Sequence, residues 1–181
     1  VSEHEELTTR RLSLSRPNEG DIDALLAVHR DPAACRHNPS DALDTLSEAE
    51  DRYGRWDALW QARGFGYWTV RSRGAVPVLG FCGVKPMELT GRPVLNLFYR
   101  FAPAAWGRGF AGEAATAVVS WSAAHVPELP LIARIRPDNL PSQRVALRAG
   151  LQRAEHLDGP GCDGFDWIYV SAGGARLMAR G

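Results

Sequence analysis

Residues 104–115 read AAWGRGFAGEAA, so Gly107, Gly109 and Gly112 stand at the mouth of what is otherwise a long, alanine-rich helix pattern. Glycine costs about 1 kcal/mol against alanine in a helix interior, so three of them call for a turn or a close approach to the backbone. A strand-like run ends just before them, at Ala102-Pro103. Strand, glycine turn and helix in that order make an anion-binding geometry. N–H groups of the first turn point outward, and the helix dipole favours negative charge there. The letters G-x-G-x-x-G fall on 107–112, but the setting is not a dinucleotide fold. Hairpins precede the unit, and the next strand, LIARI (Leu131–Ile135), runs into Arg136-Pro137 rather than an acidic end. A Walker loop would need Gly-Lys-Ser/Thr, which is missing.

Composition removes several classes of partner. The 181 residues fit one domain with a real core, and 21 basic residues balance 21 acidic ones, so no net field favours nucleic acid or an anionic membrane. Lys85 is the sole lysine, a bias we attribute to composition rather than to a binding surface. Cys35, Cys82 and Cys162 are odd in number and far apart, which argues against a disulfide framework or a zinc site and for a reducing compartment. The five histidines show no metal-ligand spacing, so no metal is expected. The polar, acidic opening does not read as a signal peptide, and no apolar run reaches membrane-spanning length. A cytoplasmic protein is expected.

Periodicity gives the order of elements. TTRRLSLS reads as a first strand with Leu12 and Leu14 on one face. Asn18 caps a helix with Ile22, Leu25, Leu26 and His29 on one stripe, closed by Pro32. A capping box at Ser47–Glu50 opens a second helix carrying Ala49, Tyr53, Trp56 and Trp60, ended by Gly64. Three strands follow, at 67–72, 78–85 and 94–101, separated by the turn-like RGAVP and PMELTGRP. Then come the glycine segment and its helix, the strand 131–135, a helix near 142–149 capped by Gly150, and strands near 151–156 and 166–170. This is a mixed α+β domain, with an antiparallel front half and then a strand–helix–strand crossover carrying the glycines. The tail from 172 to 181 has little to pack and is expected to fray.

YRFAPAAWGRGFAGEAA, followed about twenty residues later by ARIRPDNLPSQRVALRAGLQ, resembles the GNAT superfamily of acyl-CoA-dependent N-acetyltransferases. The nearest likeness is to its Rim-type branch, which includes enzymes acetylating ribosomal-protein N-termini. The opening LTTRRLSLSRPNEGDIDALLAVHRDP fits that branch too, and the resemblance spans nearly the whole chain, 7–171 as a domain. The family's acyl-CoA loop falls on Trp106, Gly107, Arg108, Gly109, Phe110 and Ala111, with Trp106 replacing the usual Arg or Gln. The resemblance implies acetyl-CoA as co-substrate, held in a cleft between splayed central strands. Backbone groups of Phe101 and Ala102 would pair with the pantetheine arm, N–H groups from Gly107 to Gly112 would hold the pyrophosphate, and Asn139 and Ser142 would lie near the thioester.

Amine acetylation needs a neutral amine, although such groups titrate near 10.4 (side chain) or 8 (α-amino), donors for the developing oxyanion, and a proton for the departing thiolate. Many GNAT enzymes supply that proton from a tyrosine in the helix after the Asn motif. Residues 142–150 read SQRVALRAG, so Ser142 is the candidate there, with a capping serine as the plain alternative. Related sequences carry Glu where this chain has Asn96, which cannot take a proton. Glu88 is therefore the candidate base, with His37, Asp166 and Tyr169 as further cleft candidates. Glu113 is expected to complement its helix N-terminus, and Trp56, Trp60 and Trp68 to pack the second helix, with Trp60 or Trp68 as alternative pocket residues. The expected activity is acetyl transfer from acetyl-CoA to a primary amine, on a protein N-terminus or a small molecule, by direct attack in a ternary complex. The competing reading is an acyl-CoA-binding module without catalysis. The sequence names neither the acceptor nor the oligomeric state.

Overall fold

The computed structural model describes residues 5–178. The chain runs β1 (Glu6–Thr8), β2 (Leu12–Ser15), α1 (Ile22–Arg30), α2 (Leu46–Arg63), β3 (Tyr67–Ser72), β4 (Val78–Leu89), β5 (Arg92–Phe101), α3 (Phe110–His125), β6 (Leu131–Ile135), α4 (Leu140–Arg148), β7 (Leu151–Arg153), β8 (Gly159–Gly161), β9 (Gly164–Ser171) and α5 (Ala172–Met178). The strands form one sheet in the order β1-β2-β3-β4-β5-β6-β9-β7, with β8 paired to β9. The β5–β6 pair is parallel and the other pairs are antiparallel. The mixed α+β architecture is as the sequence implies.

Alternation along β5 divides the molecule into two faces. Leu95, Leu97 and Phe101 join the core under α3 and α4, with Phe110, Ala114, Ala115, Val118 and Ala146. The alanines of α3 let the helix lie close to the sheet. Phe98 points the other way, into a cluster with Leu25, Val28, Trp56, Tyr67 and Phe81 beneath α1 and α2. Each large apolar side chain so buried contributes roughly 1.5–3 kcal/mol.

Four local expectations differ from the structure. The N-cap of α2 is Thr45, whose box partner is Glu48, two residues earlier than Ser47. PMELTGRP is mostly strand: β4 and β5 continue to a two-residue turn at Thr90-Gly91, where φ is 51° and 78°, as a type I′ hairpin requires. Pro86 and Pro93 look like breakers, yet in this register each turns its missing N–H away from the β4–β5 ladder, so neither interrupts it. β1 and β8 are additional short strands. Residues 172–178 of the tail form α5, with Gly174 packed near Leu131 and Val170; 179–181 lie outside the described residues.

Candidate active site

β5 and β6 pair only at Leu95–Leu131 and Asn96–Ile132 and then diverge, β6 turning to pair with β9 through Ile135. The divergence leaves a slot through the sheet. Backbone parity shows which groups line it. Ala102 N–H donates to Leu79 O at 2.9 Å, toward β4, while Leu95 N–H donates to Pro130 O at 2.8 Å, toward β6. Alternate residues face opposite edges, so Leu97, Tyr99 and Phe101 turn their peptide groups into the slot. Ala102 therefore has no free N–H to offer, and Phe101 O already accepts from Trp106 Nε1 at 2.9 Å. The groups of β5 left open to the slot include those of Leu97 and Tyr99, while Ala102 N–H is taken by β4 and Phe101 O by Trp106.

The three glycines have two different causes. Gly107 and Gly109 have φ of 74° and 77°, a region that disfavours side chains. Gly112 lies inside α3, where an added Cβ would stand 2.9 Å from Cδ of the Arg148 side chain, which lies against it from α4. No side chain caps α3 at Gly109, which leaves the first-turn N–H groups open. The guanidinium groups of Arg11 and Arg148 approach Gly109, at 3.5 and 3.6 Å from the position of a Cβ there. Trp106, Arg108, Phe110 and Ala111 surround this turn; Arg11 and Arg108 both lie on the Phe110 ring, at 4.8 and 4.6 Å. The turn is thus a cradle of open N–H groups and cations, which suits a pyrophosphate. Glu113 stands in the first turn of α3, where a carboxylate complements the helix N-terminus. It accepts from Thr9 Oγ1 (2.6 Å), Arg11 N–H (2.8 Å) and Arg11 Nε (2.6 Å), clipping the β1–β2 loop to α3. Burial raises its pKa, but those bonds outweigh burial and hold it below the ordinary value.

The slot opens into a cleft of ≈ 180 Å³ whose walls include Asn96, Tyr99, Arg100, Arg134, Ser142 and Asp166. Asn139 caps α4, its Oδ1 accepting from Ser142 N–H at 3.2 Å. Ser142 Oγ lies 2.7 Å from the Tyr99 hydroxyl. On the opposite face, Arg100, only 7% exposed, donates to Asp41 Oδ2 at 3.0 Å and to Cys35 Sγ at 3.3 Å. Asp166 accepts from Arg134 Nε at 3.1 Å and lies 3.5 Å from Arg136. The α1–α2 loop is clasped over this chamber: Ser40 donates through N–H (2.9 Å) and Oγ (2.7 Å) to Asp163, which lies 123 residues away in sequence. His37 reaches Asp138 at 3.3 Å.

Several sequence expectations fall elsewhere. Glu88 is exposed on β4, opposite Pro93 and beyond Lys85, and is absent from the cleft walls. β4 runs on as strand past Lys85, which carries Glu88 away from the slot. Trp60 and Trp68 pack in the core, edge to face at 5.1 Å, with Trp60 Nε1 bonded to Tyr67 O. Tyr169 is buried in the same core. Asp166 does line the chamber. Tyr99 is the residue that sequence reasoning missed. The family pattern points to α4 for a tyrosine, whereas strand alternation from Leu95 and Leu97 sends Tyr99 of β5 to the α4 face.

A family model described as an acetyltransferase (GNAT) domain matches residues 11–152. The uncharacterized protein YkkB of Bacillus subtilis is 32% identical over 126 residues, 66% of this chain and 73% of that protein. RimL, a ribosomal L7/L12 α-N-protein acetyltransferase solved with coenzyme A, matches with a TM-score of 0.71 at 17% identity, covering 92% of this chain and 97% of that one. Spermidine N-acetyltransferase from Vibrio cholerae, solved with coenzyme A and spermine, matches at 0.70 and 14% identity, covering 92% and 99%. Among the described residues, no group of His, Cys, Asp or Glu could hold a metal ion, and no helix is long and apolar enough to cross a membrane.

Proposed function

The chain belongs to the GNAT family of acetyltransferases and moves an acetyl group from acetyl-CoA to an amine; on that footing we propose that the acceptor is a primary amine, on a small molecule or a polypeptide N-terminus, attacked directly in a ternary complex. Residues 7–171 form the working domain, of the Rim-type branch, and it acts in the reducing cytoplasm. The observation that carries the reading is the divergence of β5 from β6, which joins the Ser142 side of the sheet to the chamber of Arg100, Asp166 and Asn96.

In this reading the turn 107–112 holds the pyrophosphate, and the free edge at Leu97 and Tyr99 pairs with the pantetheine arm as a further strand would. Asn139 fixes the start of α4 and so sets where Ser142 stands. In the transfer, the amine nitrogen bonds to the carbonyl carbon, the C–S bond breaks, and the sulfur leaves with the electron pair and gains a proton. The amine loses one. No enzyme nucleophile is needed. Cys35 and Cys82 are buried, and burial raises both thiol pKa values, which suits neither to attack. A chamber whose carboxylates Asp41, Asp163 and Asp166 are each hydrogen-bonded favours loss of the amine's proton through water.

Asn96, standing where related sequences carry a carboxylate, is the observation that favours the second reading, acyl-CoA binding without transfer. Incubation with acetyl-CoA and a panel of amines and peptides decides between the two. Thiol release with a product 42 mass units heavier, about one acetyl group, is the expected result. Tight coenzyme A binding with no release for any amine would leave the binding module.

A further inference from the structure

The Tyr99 hydroxyl has one proton and two acceptors within reach: Ser142 O at 2.8 Å and Ser142 Oγ at 2.7 Å. Ser142 O belongs to the first turn of α4, while Ser142 Oγ is on the wall of the slot. The two arrangements differ in what reaches the slot. With the tyrosine proton on the carbonyl, the serine hydroxyl donates inward to Tyr99. With the tyrosine proton on Oγ, the serine proton is free to point into the slot.

We infer that Tyr99 is a positioning residue for the sulfur of coenzyme A: by donating to Ser142 Oγ, it turns the Ser142 proton outward onto the sulfur as the C–S bond breaks. This rests on the acetyl-transfer reading above. Tyr99 reaches the sulfur only through Ser142. Burial pushes the Tyr99 phenol well above its ordinary pKa, so it keeps its proton and acts as a donor, not as an acid. No proton has to leave the pair. The Ser142 O–H and the Tyr99 O–H form a two-bond chain that stabilises the electron pair on sulfur, and the sulfur is finally protonated by the proton the amine gives up. Hydrogen bonds to an ionised partner are about twice as strong as neutral ones, so the chain acts most strongly once charge has developed on sulfur.

A plain structural role, tying α4 to β5, predicts different behaviour, and affinity for the sulfur separates the two. The probes are coenzyme A and desulfo-coenzyme A, titrated calorimetrically into the full chain between about pH 7 and pH 10, across the thiol range. The expected result is that coenzyme A gains on desulfo-coenzyme A as pH rises, by about tenfold, because the site prefers the thiolate. Ser142→Ala and Tyr99→Phe should each remove most of that gain, and the double variant no more than Ser142→Ala alone. With a working acceptor, Ser142→Ala should lower kcat by about ten- to a hundredfold and Tyr99→Phe by about tenfold, with KM for acetyl-CoA within about twofold.

A Tyr99→Phe variant that melts lower but keeps the pH-dependent gain and kcat overturns the proposal. Should Tyr99→Phe fail to fold, Ser142 still decides it, since a Ser142→Ala variant that keeps the gain also overturns it; Ser142→Thr, which retains a hydroxyl, should rescue it. Failure of the wild type to bind either probe would instead sink the acetyl-transfer reading.

Discussion

The two faces of the sheet are built from different materials. On the α3/α4 face the candidate site is mostly backbone: open N–H groups at 107–112, the free edge of β5 and the capped start of α4. On the α1/α2 face it is side chain against side chain across long sequence distances. Arg100 holds Asp41, 59 residues away, and Ser40 holds Asp163, 123 away. A backbone site can serve one fixed ligand in many chains, because it depends on conformation rather than on residue identity. A side-chain chamber can be rewritten without disturbing the fold, which suits the half of an enzyme that selects the acceptor.

The largest expected effect breaks the backbone side alone. Gly109→Asp forces a side chain into a left-handed position and places a carboxylate beside the guanidinium groups of Arg11 and Arg148. That carboxylate would compete with the pyrophosphate for the same cations and N–H groups. Coenzyme A affinity should fall by more than about a hundredfold, while the fold persists, since Asp tolerates this conformation better than most residues. Undiminished binding by calorimetry in a folded variant would mean that the turn does not hold phosphate.

This contrast also explains what could be read in advance. The glycine turn is legible because glycine and proline report local backbone conformation, and the slot follows from the family resemblance, whereas α4, expected from about Ser142, begins at Leu140 with Asn139 as its N-cap. The chamber around Arg100 and Asp166 is not legible. Nothing near Ser40 in sequence announces Asp163, and Glu88 faces the site only if PMELTGRP is a loop, whereas β4 runs through it to Leu89. Tyr99 was readable in principle from strand alternation. The family pattern points instead at α4.

The second test loads the α1/α2 face with acid. His29 is fully buried beside Phe98, with Nδ1 2.9 Å from Leu25 O, and burial first, then Arg100, draws its pKa from 6.5 down to about 3. Above pH 6.5 neither state is protonated and the full stability is present. As pH falls from 6.5 toward 3 only the unfolded chain binds the proton, so stability is lost at up to about 1.4 kcal/mol per pH unit. His29→Leu should flatten the slope of unfolding free energy between about pH 6 and pH 4 by that amount. An unchanged slope in urea titrations would show that His29 is not what makes this face acid-sensitive.

A smaller effect should separate the faces kinetically. Asp163→Ala removes the acceptor of both Ser40 bonds and frees the clasp over the chamber. KM for the amine should rise by about tenfold, in line with the loss of a charged hydrogen-bond acceptor, while KM for acetyl-CoA stays within about twofold. If both KM values moved together, the two faces would be one coupled unit.

The smallest effect concerns the seam between the faces, where Trp106 stands in place of the family's usual Arg or Gln. The residue is 50% exposed, and its Nε1 donates to Phe101 O at 2.9 Å, tying the end of β5 to the glycine turn. Trp106→Phe keeps an aromatic ring, though a smaller one, and deletes that single donor. Water can replace it at an exposed position, so the net loss is about 0.5–1.5 kcal/mol of order in the turn. Coenzyme A affinity should then weaken by only about two- to tenfold, with the amine KM unaffected. The sign carries the information. Weaker binding means that the indole organises the turn and that its bond to Phe101 O ends the pantetheine edge at Tyr99. Tighter binding would mean that the freed Phe101 carbonyl is taken up by the ligand, so that Trp106 had been competing with the pantetheine arm for the last peptide of the slot.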